Sequence, residues 1–276
     1  MNRRVRVRRG TTGIGAAVSR RGAAVSRRAW ARAGRTAEWF ASSPKRRAYA
    51  TSSRLALHLA GCAVIALGVG MMLWNDFGPG PLDVMIGAIR HHSGLPLTFA
   101  VWCTTGSLLL VAWALGKRPG FGNLITVLTV GPLMQLTLVA LSPFPAPAAM
   151  PAQVAVHVVA TAIVGLGAGM NLFARLGAGT SELLAASLAQ RTGFTEPRVR
   201  MVCELAWLAA GALLGGPFGL GTVIVALLIG PFVATGHRTV DTAVTSARTA
   251  TRRQIEWSRG QDITAPIPAM SLSAGD

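Results

Sequence analysis

Between Leu55 and Gly236 the chain is a succession of apolar runs that a water-facing fold does not explain. They are Leu55–Trp74, Phe99–Leu115, Leu124–Leu141, Val154–Phe173, Met201–Leu214 and Val223–Thr235. A helix rising 1.5 Å per residue needs about 20 residues to cross about 30 Å of hydrocarbon. The first and fourth runs have that length, and uncharged Gly/Pro/Phe flanks such as Gly215–Gly221 extend the shorter ones. Only 13% of the residues are charged, where a soluble domain carries about a quarter, and mean hydropathy is +0.46. Strand alternation is weak and there is one tyrosine, which argues against a β-barrel. The expected class is an all-α, polytopic transmembrane bundle.

Shifting the chain by 99 residues superposes its halves without a gap. His58 falls on His157, Gly68 on Gly167, Gly70 on Gly169 and Met71 on Met170. Gly78 and Gly80 fall on Gly177 and Gly179, Asp83 on Glu182, and Gly131-Pro132 on Gly230-Pro231. Residues 55–132 and 154–231 hold twelve glycines each, and nine coincide. Random placement would align roughly two, and glycine is kept where backbones approach closely or φ is unusual. The halves are expected to be structural repeats, 55–141 and 154–236.

Loop charge sets their expected orientation, because Lys and Arg collect on the cytoplasmic side of a span. With the basic N-terminus inside, the second span returns to Lys117 and Arg118. The third exits to Ser142–Gln153, which has no charge, and the fourth returns to Arg175, Arg191, Arg198 and Arg200. The fifth exits to uncharged Gly215–Gly221, and the sixth returns to Arg238, Arg252 and Arg253. Arg90 alone sits outside against the rule. Three spans per half make the second copy upside down, with both termini cytoplasmic. If Pro81–Ile89 and Thr180–Ala189 crossed fully, the copies would be parallel, and Lys117/Arg118 would fall outside. Those stretches, of about ten residues, are too short to cross and read as re-entrant or interfacial helices.

The net charge of +17 belongs mostly to one end. Residues 1–54 carry fifteen Lys/Arg against Glu38, and read as a basic disordered tail without an apolar signal core. Attraction to anionic lipid headgroups, about 1 kcal/mol per basic residue at the surface, competes with a nucleic-acid arm or a misplaced start; nucleic acid is not the expected partner. Residues 237–276 read as a disordered C-terminal tail. Cys62, Cys103 and Cys203 lie in apolar runs without CxxC spacing, so neither a disulfide framework nor a metal site is expected. No HExxH, GxSxG or Walker sequence occurs, and no enzyme activity or cofactor is expected.

Paired short segments interrupted by Gly and Pro point to a central substrate site in transporters. Here they are Gly78-Pro-Gly-Pro81-Leu-Asp83 and Gly177-Ala-Gly179-Thr-Ser-Glu182. Each reads as a turn opening a short helix with an acid in its first turn. That carboxylate either caps backbone N–H groups or binds a solute or cation, and the roles are compatible. Glu204 lies inside the fifth run, where an ionisable group faces a cavity or a partner. Arg200, four residues earlier, is a partner for a static anchor; a proton or cation relay is the rival. Asn75 and Asn171 close the first and fourth spans, Gln135 follows the Gly131-Pro132 kink, and Gly230-Pro231 repeats that kink. His58 and His157 read as interfacial, solvated residues.

At Gly78-Pro-Gly-Pro-Leu-Asp-Val84, Gly116-Lys-Arg-Pro-Gly-Phe-Gly122 and Gly131-Pro132 the chain resembles YczE/YyaS/YitT-type bacterial membrane proteins. Gly177-Ala-Gly-Thr-Ser-Glu182, Glu204, Gly219-Leu-Gly-Thr222 and Gly230-Pro231 extend the resemblance to roughly Leu55–Gly236. It departs at Pro81-Leu82-Asp83, where Pro-Trp-Asp is the commoner form, and at Glu182, where an Asp is common. The resemblance implies a multi-pass plasma-membrane protein and brings no settled activity. A secondary transporter or permease for a small solute or ion is therefore the first expectation, and a non-transporting accessory, scaffold or regulatory protein the second. Lipid is the one partner expected in either case.

Overall fold

The computed structural model describes residues 51–177 and 179–264. Among them are eight α-helices: α1 Thr51–Asn75, α2 Pro81–Ser93, α3 Leu97–Ala114, α4 Phe121–Leu141, α5 Met150–Ala174, α6 Thr180–Thr192, α7 Glu196–Leu213 and α8 Leu220–Thr264. The helices of the second set each begin 99 residues after those of the first, and the first three pairs also end 99 residues apart. At 1.5 Å per residue α1 and α5 reach about 37 Å, and α2 and α6 about 20 Å, too short to cross hydrocarbon. The chain reversals recur at the same interval. Gly94 and Gly193 end α2 and α6 in the left-handed region, and Gly116 and Gly215 adopt positive φ after α3 and α7.

Among the described residues five segments are long and apolar enough to cross a membrane: Ser52–Asn75, Leu97–Ala114, Phe121–Leu141, Met150–Ala174 and Leu220–Ala247. The expected sixth, α7, has the length of α3, but Glu196, Arg198, Arg200 and Glu204 crowd its first half. Length and composition thus support five spans where six were expected. The outer faces carry Leu110, Trp113, Phe121, Leu136, Leu213 and Leu227, all exposed, which suits lipid rather than water.

The N-terminal tail, apart from Thr51–Arg54 in α1, lies outside the described residues, as do residues 265–276. Residues 237–264, expected to be disordered, instead continue α8. Between Gly236 and Gly260 neither glycine nor proline interrupts them, and Ala and Arg are good helix formers, so no local signal stops the helix. Pro132 and Pro231 lie inside α4 and α8 rather than ending them.

α1 and α5 pack antiparallel at the centre. At one end Arg54 donates from Nε to Ala174 O (2.8 Å) and from Nη2 to Arg175 O (2.6 Å). At the other, Asn75 Nδ2 donates to Gln153 O at 3.0 Å. Glycine brings the two backbones together: a Cβ on Gly167 would stand 2.7 Å from Gly61 O, and one on Gly68 2.7 Å from Ala160 O. Close approach of this kind replaces the hydrophobic driving force that lipid removes. α4 packs on α1 and α8 on α5, while each short helix packs across the halves, α2 on α7 and α6 on α3. Two backbone bonds lock that exchange, Gly122 N to Leu176 O (3.0 Å) and Gly221 N to Phe77 O (2.7 Å).

Candidate functional site

The two short helices open in the same way. Gly80 and Gly179 are their N-caps, both extended and without a capping side chain, and Pro81 supplies the fixed φ that suits a first helical position. Gly78 is the position where glycine is required twice over. Its φ is +108°, and a Cβ there would sit 2.7 Å from Gly219 N. Gly177 faces Asn123 in the opposite crossing, where a Cβ would meet the Asn123 backbone N at 2.9 Å. Asn123 itself accepts from Gly120 N at 2.8 Å and so shapes the start of α4. The residue 99 positions on, Thr222, accepts from Gly219 N at 3.4 Å. Asn123 was not singled out in the sequence, and Thr222 stood there only as the end of the Gly219-Leu-Gly-Thr222 motif, although both follow the Gly-x-Gly turns that begin α4 and α8.

The acids of these helices have different surroundings. Glu182 Oε1 lies 3.0 Å from Arg200 Nη1, and Arg200 Nε lies 2.9 Å from Glu204 Oε1. Ser181 donates to Glu182 Oε2 at 3.0 Å. Burial works to raise the Glu182 carboxyl, but the Arg200 guanidinium, its own backbone N–H and Ser181 outweigh it and hold it below the usual carboxylate range. The expected Arg200–Glu204 pair is thus present, and the same guanidinium bridges to a second helix. Removing one member of such a network strands a charge.

Asp83 has no cation within ion-pair reach among the described residues. It lines a cavity of about 680 Å³ with Ile86, Gly87, Arg90 and His91 of α2, closed by Leu97, Met134 and Pro217 from α3, α4 and the turn after α7. Burial pushes its carboxyl up to about 7. Gly87 admits Pro217, whose ring would clash with any Cβ there. Arg90, His91 and His92 occupy the last turn of α2, where positive charge complements the helix dipole. His92 Nε2 is 2.8 Å from Leu214 O, and Arg191 Nε donates to Leu115 O at 3.1 Å. Each short helix is therefore tied at its C-terminal end to the turn closing a helix of the other half. Arg90, the exception to the loop-charge rule, belongs to this cavity wall.

The remaining sequence candidates lie elsewhere. Asn75 is fully buried at the end of α1. Asn171 is buried on the α1–α5 seam, its Nδ2 3.7 Å from Cys62 Sγ and its Oδ1 without a partner. Gln135 is partly buried on α4, beside the cavity residue Met134 but not in the wall itself. The histidines depart from the expectation of solvated, interfacial positions: His58 is 1% exposed and His157 0%. His58 Nε2 lies 3.0 Å from Gly122 O, and the His157 ring packs against Gly221 and edge-on to Phe77. Glycine at 221 makes the room for the His157 ring, whereas His58 is held inside by its contact with the Gly122 carbonyl.

Comparison with known proteins follows this geometry closely in extent. The profile of DUF6198, a family of unknown function, matches residues 52–238. An uncharacterized protein of Haemophilus influenzae (strain Rd) is 27% identical over 195 residues, covering 71% of this chain and 87% of the relative. The uncharacterized membrane protein YczE of Bacillus subtilis (strain 168) is 29% identical over 181 residues, 64% of this chain and 82% of YczE. No solved structure matches. The matched region runs from the start of α1 into α8 and contains both short helices.

Proposed function

Because the chain belongs to DUF6198, a family of unknown function, and is itself a multi-pass membrane protein, we propose from its own geometry that it is a secondary transporter or permease for a small solute or ion. One observation carries this reading. Two short acid-bearing helices each pack across the halves, one with its carboxylate neutralised by Arg200 and the other with its carboxylate on a cavity. Polar groups in a membrane body are costly and accompany solute or ion pathways. Short, glycine-interrupted helices in matching positions of two halves are the arrangement in which such a pathway is built.

In this reading the halves are inverted repeats of three spans each, with α7 as the sixth crossing. The antiparallel packing of α1 and α5, and helix bounds recurring at 99 residues, support it. The Asp83 cavity, beside Gly215 and Pro217, then faces the outside, and the Arg200 network lies toward the cytoplasm. Rocking one half against the other exchanges their access. Single-cysteine labelling on a Cys-free background is expected to place residue 117 on one side of the membrane and residue 146 on the other. Labelling of both from one side overturns the inverted arrangement.

The functional test is flux into proteoliposomes. A panel of labelled monovalent cations, amines, amino acids and carboxylates is expected to yield at least one accumulated solute. Asp83→Asn is expected to lower its uptake about ten-fold or more, the effect of losing one charge-assisted contact. No uptake of any member, or Asp83→Asn uptake equal to wild type, counts against transport.

A further inference from the structure

The two acid sites differ by one cation, and that difference identifies what the open one is built to hold. In the second half Glu182, Arg200 and Glu204 form a connected set. The residues 99 positions earlier are Asp83, Val101 and Thr105. Val101 is 2% exposed and belongs to the apolar cluster of Ile86, Leu97 and Met134, which also walls the Asp83 cavity. Thr105 turns its hydroxyl onto Val101 O of its own helix at 2.7 Å. The first half thus keeps the carboxylate, omits the guanidinium and has a cavity of about 680 Å³ beside it.

We infer that the Asp83 cavity binds a small solute through a guanidinium or ammonium group, which takes the place beside Asp83 that Arg200 takes beside Glu182. The volume lies within the range of small-molecule sites, and Ile86, Leu97 and Met134 offer apolar contact to the body of such a solute. A carboxylate facing a low-dielectric wall gains most from a partner that is itself charged and hydrogen-bonding. Two other features of the site oppose a cation. The N-terminal end of α2 carries the positive end of the helix dipole. Arg90 and His91 stand about two turns away, Arg90 about 10 Å along the helix axis at 1.5 Å per residue. Only Asp83 favours positive charge there, so its removal decides the matter. The bound cation sits at the Asp83 end, and the solute's tail points toward Arg90 and His91.

This inference rests on the transporter reading for the purpose of the site, but it is tested by binding alone. The full chain, purified into lipid nanodiscs, is titrated with ethylguanidinium chloride and butylammonium chloride, with sodium butyrate and equal ionic strength of sodium chloride as controls. Saturable thermal stabilisation by at least one cation and none by butyrate is expected. Asp83→Asn is expected to weaken cation binding about ten-fold or more, and Glu182→Gln to leave it within about two-fold. A second measurement needs no variant. Carbodiimide labelling of Asp83, read by mass spectrometry on the wild-type chain, is expected to fall when the bound cation is present. Absence of saturable cation binding, preference for butyrate, undiminished binding by Asp83→Asn, or unprotected Asp83 labelling each overturns the inference. Binding without any flux would remove the transporter reading and leave the site. Flux of a solute that neither cation inhibits would do the reverse.

Discussion

Arg200→Met is expected to destabilise the protein by about 3 kcal/mol, because a neutral side chain leaves two carboxylates facing one another across α6 and α7. Arg200 bridges Glu182 at 3.0 Å and Glu204 at 2.9 Å. The three side chains are 27–37% exposed, which argues for the lower end of the range for a broken buried pair. The companion changes separate charge from packing. Glu204→Gln alone is expected to be mild, since Arg200 keeps Glu182. Adding Glu182→Gln and Glu204→Gln to Arg200→Met is expected to restore most of the loss, because no unpaired charge then remains. Thermal unfolding in detergent, followed by tryptophan fluorescence and size-exclusion recovery, reads all four. An Arg200→Met protein as stable as wild type would show that the network is not structural.

The same experiment carries a pH signature. The Glu182 carboxyl is held below its usual range in the folded protein. Its contribution to stability is therefore complete above the unfolded carboxylate value and is lost as pH falls through the lowered folded value. Without Arg200 the sign reverses: burial disfavours the charged form, and protonation relieves the variant. The gap between wild type and Arg200→Met is expected to be widest at neutral pH and to narrow below about pH 5, near the ordinary carboxylate range. A gap independent of pH would point to lost packing by the arginine stem instead.

What was readable beforehand followed from periodic and local signals. Apolar runs marked the helices, and glycines recurring at 99 residues anticipated helix bounds and reversals at that interval. The Arg200–Glu204 pair was visible because i and i+4 share a helix face. The Glu182–Arg200 contact was not, since it joins separate helices and no local spacing encodes it. Asn171 suggested a polar path by composition, but the Gly61–Gly167 seam drew it between α1 and α5. His58 and His157 sat near expected span ends, and tertiary contacts buried them: the Gly122 carbonyl at His58, and the space left by Gly221 at His157. α7 reads as a span by length and not by charge: Glu196, Arg198, Arg200 and Glu204 lie in its first half, and Arg200 makes the contact with Glu182 of α6. The Asp83 cavity depends on Pro217 reaching Gly87 from the other half, a tertiary event that neither residue announces.

Glycine at a helix seam gives the second large effect, and its sign separates contact from propensity. Replacing a helical glycine by alanine stabilises by about 1 kcal/mol where nothing opposes the new methyl. At Gly106 on α3 nothing lies within 4 Å of the Cβ position, so Gly106→Ala is expected to hold or raise stability. At Gly169 on α5 the same methyl would meet the His237 backbone N, with the Gly236 carbonyl carbon at 2.5 Å and His237 Cα at 3.0 Å. Those are main-chain atoms of α8 and cannot rotate aside, so the helices must part. One turn earlier Gly165 sits on Phe232, its Cβ position 2.7 Å from that residue's carbonyl carbon, and the whole α5–α8 seam opens together. Overpacking of this kind costs about 1–3 kcal/mol, and with backbone on the far side Gly169→Ala is expected near the upper end, exceeding the propensity gain. The pair is measured by thermal unfolding of the two variants in the same detergent. Gly169→Ala behaving like Gly106→Ala would mean that α5 and α8 do not meet at this distance.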